Sequence, residues 1–187
     1  MEGVGQDLLP PPGYANPATP LFATPVCGSI LQTEVVSTVG SAEVVVPFNV
    51  YQSWSSVSAW TSDISGILWT CQIAGIYQMN IAQTLTVFNA ADITNPVVNM
   101  SMSVIDINNA ELNQVYTQTI TVPVTTSEII VSTGVSNIVN ANVGTTMSFA
   151  VNAPNGGITV TSGSNSGFYQ AFTYNLIAKG VYGNVVV

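Results

Sequence analysis

Between positions 75 and 88 the sequence alternates with a period of two. Tyr77, Met79, Ile81, Leu85 and Val87 share one face, and Gln78, Asn80, Ala82, Thr84 and Thr86 share the other. Successive side chains of a strand point to opposite faces, so this run is predicted as a half-buried β-strand. Gln83 breaks its apolar face. The signature recurs from Ser29 onward, predicting strands at 31–39, 43–48, 66–71, 98–107, 115–124, 128–133, 145–151, 157–161 and 168–177. In the last of these, Phe172, Tyr174 and Leu176 fall on one face. Turn residues separate the runs: Asn95-Pro96, Asn108-Asn109, Asn155-Gly156-Gly157 and the Ser/Gly stretch 162–167. No window sustains a 3.6-residue period with caps. Roughly eight to ten short strands with polar turns fit an all-β fold, a single jelly-roll β-sandwich.

Residues 1–28 read differently and are assigned to an extended Pro-rich N-terminal arm, with the jelly-roll domain at 29–187. The arm holds six of the ten prolines: Pro10, Pro11, Pro12, Pro17, Pro20 and Pro25. Proline fixes φ and has no amide donor, so residues 8–14 are expected as a polyproline-like strap rather than an interior strand. Its apolar pegs Leu8, Leu9, Tyr14, Leu21 and Phe22, with Pro10, Pro11 and Pro12, are the expected contacts to the body or to a neighbouring subunit. At the other end, residues 181–187 are apolar and charge-poor, and are expected to pair on a sheet edge, their own or a neighbour's.

Composition narrows the function. Charged residues make up 5% of the chain, with a single Lys, no Arg, no His and nine acids, for a net charge of −8. Nucleic acid is held through its phosphates by Lys and Arg, and Lys179 alone cannot do this, so no nucleic-acid partner is expected. Without His, the commonest acid/base and metal-ligand side chain is missing. Cys27 and Cys71 have no CxxC spacing and are expected as free thiols, with one disulfide as the alternative. No cofactor or metal is expected. A hydrophobic share of 47% argues against disorder. No run of about 20 apolar residues predicts a transmembrane helix, and residues 1–7 have neither the basic nor the apolar part of a secretory signal.

Two segments resemble the C1q and tumour-necrosis-factor jelly-roll superfamily. Gly66-Ile-Leu-Trp-Thr-Cys-Gln-Ile-Ala-Gly-Ile-Tyr77 is similar to that family's pair of strands in which a Gly-Φ-Tyr triplet opens the long central strand. Phe48 fits its upstream aromatic, Val143-Gly-Thr-Thr-Met-Ser-Phe-Ala-Val151 its strand after a "Gly-Asp" turn, and Phe172-Thr-Tyr-Asn-Leu-Ile177 its closing aromatic strand. The resemblance covers residues 44–178. It implies the jelly-roll fold and, as one reading, a trimeric head that recognises a receptor or glycan. Thr145 departs from the family's frequent Asp. Asp63 and Asp92 would make a poor calcium cage, which needs six to eight oxygens. The same fold also builds icosahedral virus shells, and a short jelly roll with an extended arm and few charges resembles penton, spike and minor coat proteins.

The isolated acids read as surface solubility; Asp106 and Glu111 are the pair whose approach would matter for glycosidase chemistry. Lys179 reads as the solvated end of the last strand. Trp54, Trp60 and Trp69 cluster with Tyr51. Trp69 is expected in the core, whereas Trp54 and Trp60 are candidates for an interface or a sugar platform, with core packing as the alternative. The expected role is a non-enzymatic virion component, packing against other coat proteins or copies of itself.

Overall fold

The computed structural model describes residues 26–32, 34–53, 58–88, 94, 96–123, 127–162 and 170–179. The strands there are β1 (Cys27–Leu31), β2 (Val36–Val39), β3 (Val44–Val45), β4 (Val50–Ser53), β5 (Trp60–Ser62), β6 (Trp69–Cys71) and β7 (Gly75–Phe88). They continue with β8 (Val97–Ile105), β9 (Gln114–Thr121), β10 (Ile129–Ala141), β11 (Thr146–Asn152), β12 (Thr159–Ser162) and β13 (Ala171–Lys179). Among the described residues the one helical element is a 3-10 turn at Ala110–Leu112.

Two antiparallel sheets face each other as a jelly-roll sandwich. The seven-stranded sheet runs β2-β12-β7-β13-β1-β4, with β10 on the remaining edge of β7. The six-stranded sheet runs β5-β6-β11-β8-β9, with β3 also on β11. β7 is the spine. One edge pairs with β10 along its length, while the other is shared end to end by β13, from Gly75 to Ala82, and β12, from Leu85 to Phe88.

The period-two pattern becomes the core. Tyr77, Met79, Ile81, Leu85 and Val87 of β7 are buried against Val98, Met100, Met102 and Val104 of β8 and Met147, Phe149 and Val151 of β11. Phe172 is the hub of an aromatic cluster. Its ring centroid lies 4.9 Å from Phe149, 5.7 Å from Trp69, 5.9 Å from Tyr174 and 6.1 Å from Phe48. Tilted and edge-on pairs of this kind add about 0.5–1.5 kcal/mol each beyond area burial. Tyr77 enters the core as expected, and its hydroxyl donates to the Ile73 carbonyl.

Gln83 breaks the apolar face at the point where the edge partner of β7 changes. Its side chain is buried, its Nε2 donates to Gln32 Oε1 at 3.0 Å, and its Oε1 accepts from Ser162 Oγ at 2.8 Å. Gln170 Nε2 donates to the Thr84 carbonyl at 3.2 Å. Between the ends of β12 and β13 this edge of β7 has no strand to bond, and the Gln170 amide takes the Thr84 carbonyl in its place.

Several boundaries differ from the sequence reading. Cys27 and Gly28, assigned to the arm, are the first residues of β1. A Cβ on Gly28 would lie 2.5 Å from the Tyr174 ring, so this glycine belongs to the body's packing. The run 31–39 is two strands, because β1 joins β13 and β4 while β2 joins β12. The strand predicted at 128–133 extends to Ala141, straight through Gly134. At Gly75, which opens β7, φ is not positive, and a Cβ there would lie 2.4 Å from Leu176 Cδ1 and 2.5 Å from the Ala178 carbonyl. It marks the close approach of β13 at the irregularity between Leu176 and Ala178. The arm through residue 25 and the segment 181–187 lie outside the described residues.

Candidate association surface

Most residues singled out for contact lie outside the described part: Leu8, Leu9, Pro10, Pro11, Pro12, Tyr14, Leu21, Phe22 and Trp54. Trp60 lies inside it and is corrected: it is fully buried, 5.6 Å edge-on from Tyr77, and is core rather than interface. Trp69 is buried as expected, with its indole N–H donated to the Gly66 carbonyl at 3.2 Å.

The acids serve as loop anchors. Asp106 is 2% exposed. Its Oδ1 accepts from the amides of Asn108 (2.9 Å) and Asn109 (3.1 Å), and its Oδ2 from Asn142 Nδ2 (2.8 Å) and Thr145 Oγ1 (3.2 Å). Burial alone would raise its pKa, but these four donors outweigh it and hold the carboxyl below the usual aspartate value. Thr145, standing where the resembled family often has Asp, thus donates to a carboxylate supplied by the next loop. Glu111 is exposed on the 3-10 turn, where its amide caps onto Asn109 Oδ1. Asp63 organises the turn before β6 by accepting from Ser65 Oγ at 2.5 Å and from the amides of Ile67 and Leu68. The Ser65 hydrogen bond is the main cause of its lowered pKa. Gly66 closes that turn at φ +70°, with the Phe48 carbonyl 2.5 Å from where a Cβ would stand.

Among the described residues no three His, Cys, Asp or Glu side chains converge as metal ligands, and no helix is long and apolar enough to cross a membrane. Cys27 and Cys71 are not joined in a disulfide, and the Cys71 thiol is buried and pushed up to about 11 by that burial. A pocket of about 230 Å³ is lined by Asn49, Ser58, Trp60, Thr61, Ser62 and Trp69. A larger one, about 450 Å³, sits where β1, β13 and β7 meet and includes Ser29, Asn80, Thr173 and Asn175. Neither is lined by a carboxylate or a lysine.

What stands out is the surface of the seven-stranded sheet. Its strands contain no charged residue except Lys179, the last residue of β13. On the solvent side, β10 carries Ile130, Ser132, Gly134, Ser136 and Ile138, paired with Thr86, the buried Thr84, Ala82, Asn80 and Gln78 of β7. Beyond them stand Thr173, Asn175 and Ile177 of β13. Ile130, Ile138 and Ile177 are 58%, 64% and 53% exposed. The amides and hydroxyls bond one another, as where Ser136 Oγ donates to Asn80 Oδ1 at 2.6 Å. The strands of the six-stranded sheet hold no charged residue either, though Ser101 Oγ on β8 donates to Glu43 Oε1 at 3.1 Å, as Asn49 Nδ2 beside β4 donates to Glu34 Oε1 at 3.1 Å. An uncharged face of aliphatic, amide and hydroxyl groups loses little solvation on contact, so it suits protein packing more than open solvent. Sequence reasoning missed this surface because it lies largely on β10, whose second half was not read as strand.

No family model matches the sequence, and no curated protein does. Among solved structures, the chain is similar to murine APRIL at pH 5.0, with a TM-score of 0.56 and 10% identity over 82% of this chain and 99% of that one. It is similar to Eiger TNF from S. frugiperda, with a TM-score of 0.57 and 10% identity over 83% and 94%. The globular domain of zebrafish complement 1qA gives 0.48 and 12% over 83% and 99%. At these identities the likeness is one of fold: the chain has a TNF-like jelly roll.

Proposed function

We propose that this protein works by packing: it associates with copies of itself and, more finely, serves as a structural component of a virus particle, a minor capsid or penton/spike protein bound to coat-protein neighbours. The observation that carries the reading is the solvent face of the seven-stranded sheet, free of charge from β1 to β10 and bearing Ile130, Ile138 and Ile177. The low overall charge and the Pro-rich arm support it. Placing a charge on that face tests it. Ser136→Lys and Gln78→Glu sit at exposed positions and leave the core untouched. In light scattering each is expected to lower the association state of the full chain without changing its circular dichroism. Unchanged size in both variants contradicts the reading. The virion role has its own test: a chain lacking residues 1–26 is expected to be left out of particles that take up the full chain.

A second reading is a trimeric binding head for a receptor or glycan. The pocket beside Trp60 and Trp69, with Asn49, Ser58, Thr61 and Ser62 in its lining, favours a neutral, hydroxyl-bearing ligand. Titration with neutral oligosaccharides separates the two readings, since the first expects no binding.

A further inference from the structure

We propose that the turn joining β5 to β6 is a lipid contact, at which Ile64, Ile67 and Leu68 dip into a bilayer surface with zwitterionic headgroups. This goes beyond self-association and does not depend on it. The turn reads Asp63-Ile-Ser-Gly-Ile-Leu68. Turns are ordinarily built from Gly, Pro, Asn, Asp and Ser. Here three aliphatic side chains face outward: Ile64 is fully exposed, and Ile67 and Leu68 are 38% and 43% exposed.

The polar groups of the turn are bonded inside it. Four of its six backbone amides donate within the turn. Those of Asp63 and Gly66 go to the Leu68 and Asp63 carbonyls, each at 3.1 Å, and those of Ile67 and Leu68 go to Asp63 Oδ1 at 3.2 and 3.3 Å. Asp63 Oδ2 takes the Ser65 hydroxyl. The Gly66 carbonyl accepts from the Phe48 amide at 2.9 Å and from the Trp69 indole at 3.2 Å, which ties the turn to the core. In water an exposed turn needs few such bonds, because solvent supplies them. A segment entering lipid must bring its own. The same bonds hold the three side chains in place before contact, so little ordering entropy is lost on docking.

A bilayer fits this feature better than a protein socket does. Protein contacts carry about one hydrogen bond per 100–200 Å², which fixes the partner's orientation. A peg of aliphatic groups whose donors are already used offers few, and a lipid surface asks for none. The exposed hydroxyls of Thr61 and Ser62 flank the peg at the level of the headgroups. Charge selects the headgroup: at net −8, with Lys179 as its one base, the chain is repelled by anionic lipid. The loop bearing Ile107, 86% exposed, lacks this combination, because it also carries the exposed Glu111, whereas the one charge of the 63–68 turn is bonded within it.

Flotation of the full chain with phosphatidylcholine vesicles tests this. The native chain is expected to float with the vesicles. Ile64→Ser is expected to lower its partitioning at least ~10-fold with unchanged circular dichroism, since the fully exposed Ile64 adds nothing to the core. Ile107→Ser, at another exposed aliphatic, should float as the native chain does, and added phosphatidylserine should weaken binding. A native chain that never floats overturns the proposal, and so does I64S floating equally well. An equal loss in I107S means unspecific stickiness and also overturns it. So does binding that requires phosphatidylserine. If I64S changes only the oligomer seen in light scattering, the turn meets protein and the lipid contact fails.

Discussion

Asp106 is the residue on which one end of the sandwich depends. It ties the loop after β8 to the turn between β10 and β11 through four neutral donors. Asp106→Ala removes the carboxylate acceptor from all four, leaving the Asn109 amide only the residue 106 carbonyl at 3.3 Å, and a loss of about 2–4 kcal/mol is expected in urea unfolding. The group also sets a pH dependence. Its folded pKa lies below the 3.8 of an unperturbed aspartate, so its stabilisation is complete above that pH and is lost as pH falls through the folded value. In the alanine variant that acid limb should flatten. Cys71 gives a second check. Buried, donating to the Ile73 carbonyl at 3.0 Å, and with its pKa near 11, it should resist thiol reagents at neutral pH until the chain unfolds. Labelling of Cys71 in the folded protein would contradict its place in the core.

At the scale of elements, the strands with two-residue alternation were legible and those governed by neighbours were not. β7 was read with its observed bounds, because one of its faces is apolar at every second position except Gln83. Gln83 looked like a flaw in the pattern, and its role depends on where β12 and β13 end, which no local window contains. Gln83→Leu is expected to cost about 1–3 kcal/mol by removing two buried hydrogen bonds and leaving Ser162 Oγ and Gln32 Oε1 only their mutual contact at 3.0 Å. A neutral or stabilising effect in thermal unfolding would mean the polar cluster is dispensable. β10 was read only as far as Thr133 because Gly134 and the Ser and Asn residues after it resemble turn chemistry. Gly134 is in fact a close approach: a Cβ there would meet the Ile81 carbonyl at 2.6 Å. Gly134→Ala is therefore expected to destabilise by about 1–3 kcal/mol. The short β4 and β5 went unread, and so did the burial of Trp60, because a tryptophan near polar residues carries no sign of which side of a sheet it faces.

For the whole molecule, among the described residues the sandwich places its charged side chains outside the strands, with Lys179 the exception, and leaves a neutral face open on the seven-stranded sheet. A contact built from aliphatic and amide surface behaves differently from one built from ion pairs. Exposed charges are screened over about 8–10 Å near physiological salt, so ion-paired assemblies loosen as salt rises. Apolar packing does not, and strongly hydrated salts such as sulfate reinforce it. Sedimentation of the full chain across concentration, at low and at high salt, bears most directly on the claim that this protein acts through contact with its own kind. The account expects a concentration-dependent oligomer whose size and stability hold or rise with salt. A monomer at every concentration, or an oligomer that falls apart as salt is added, would contradict it.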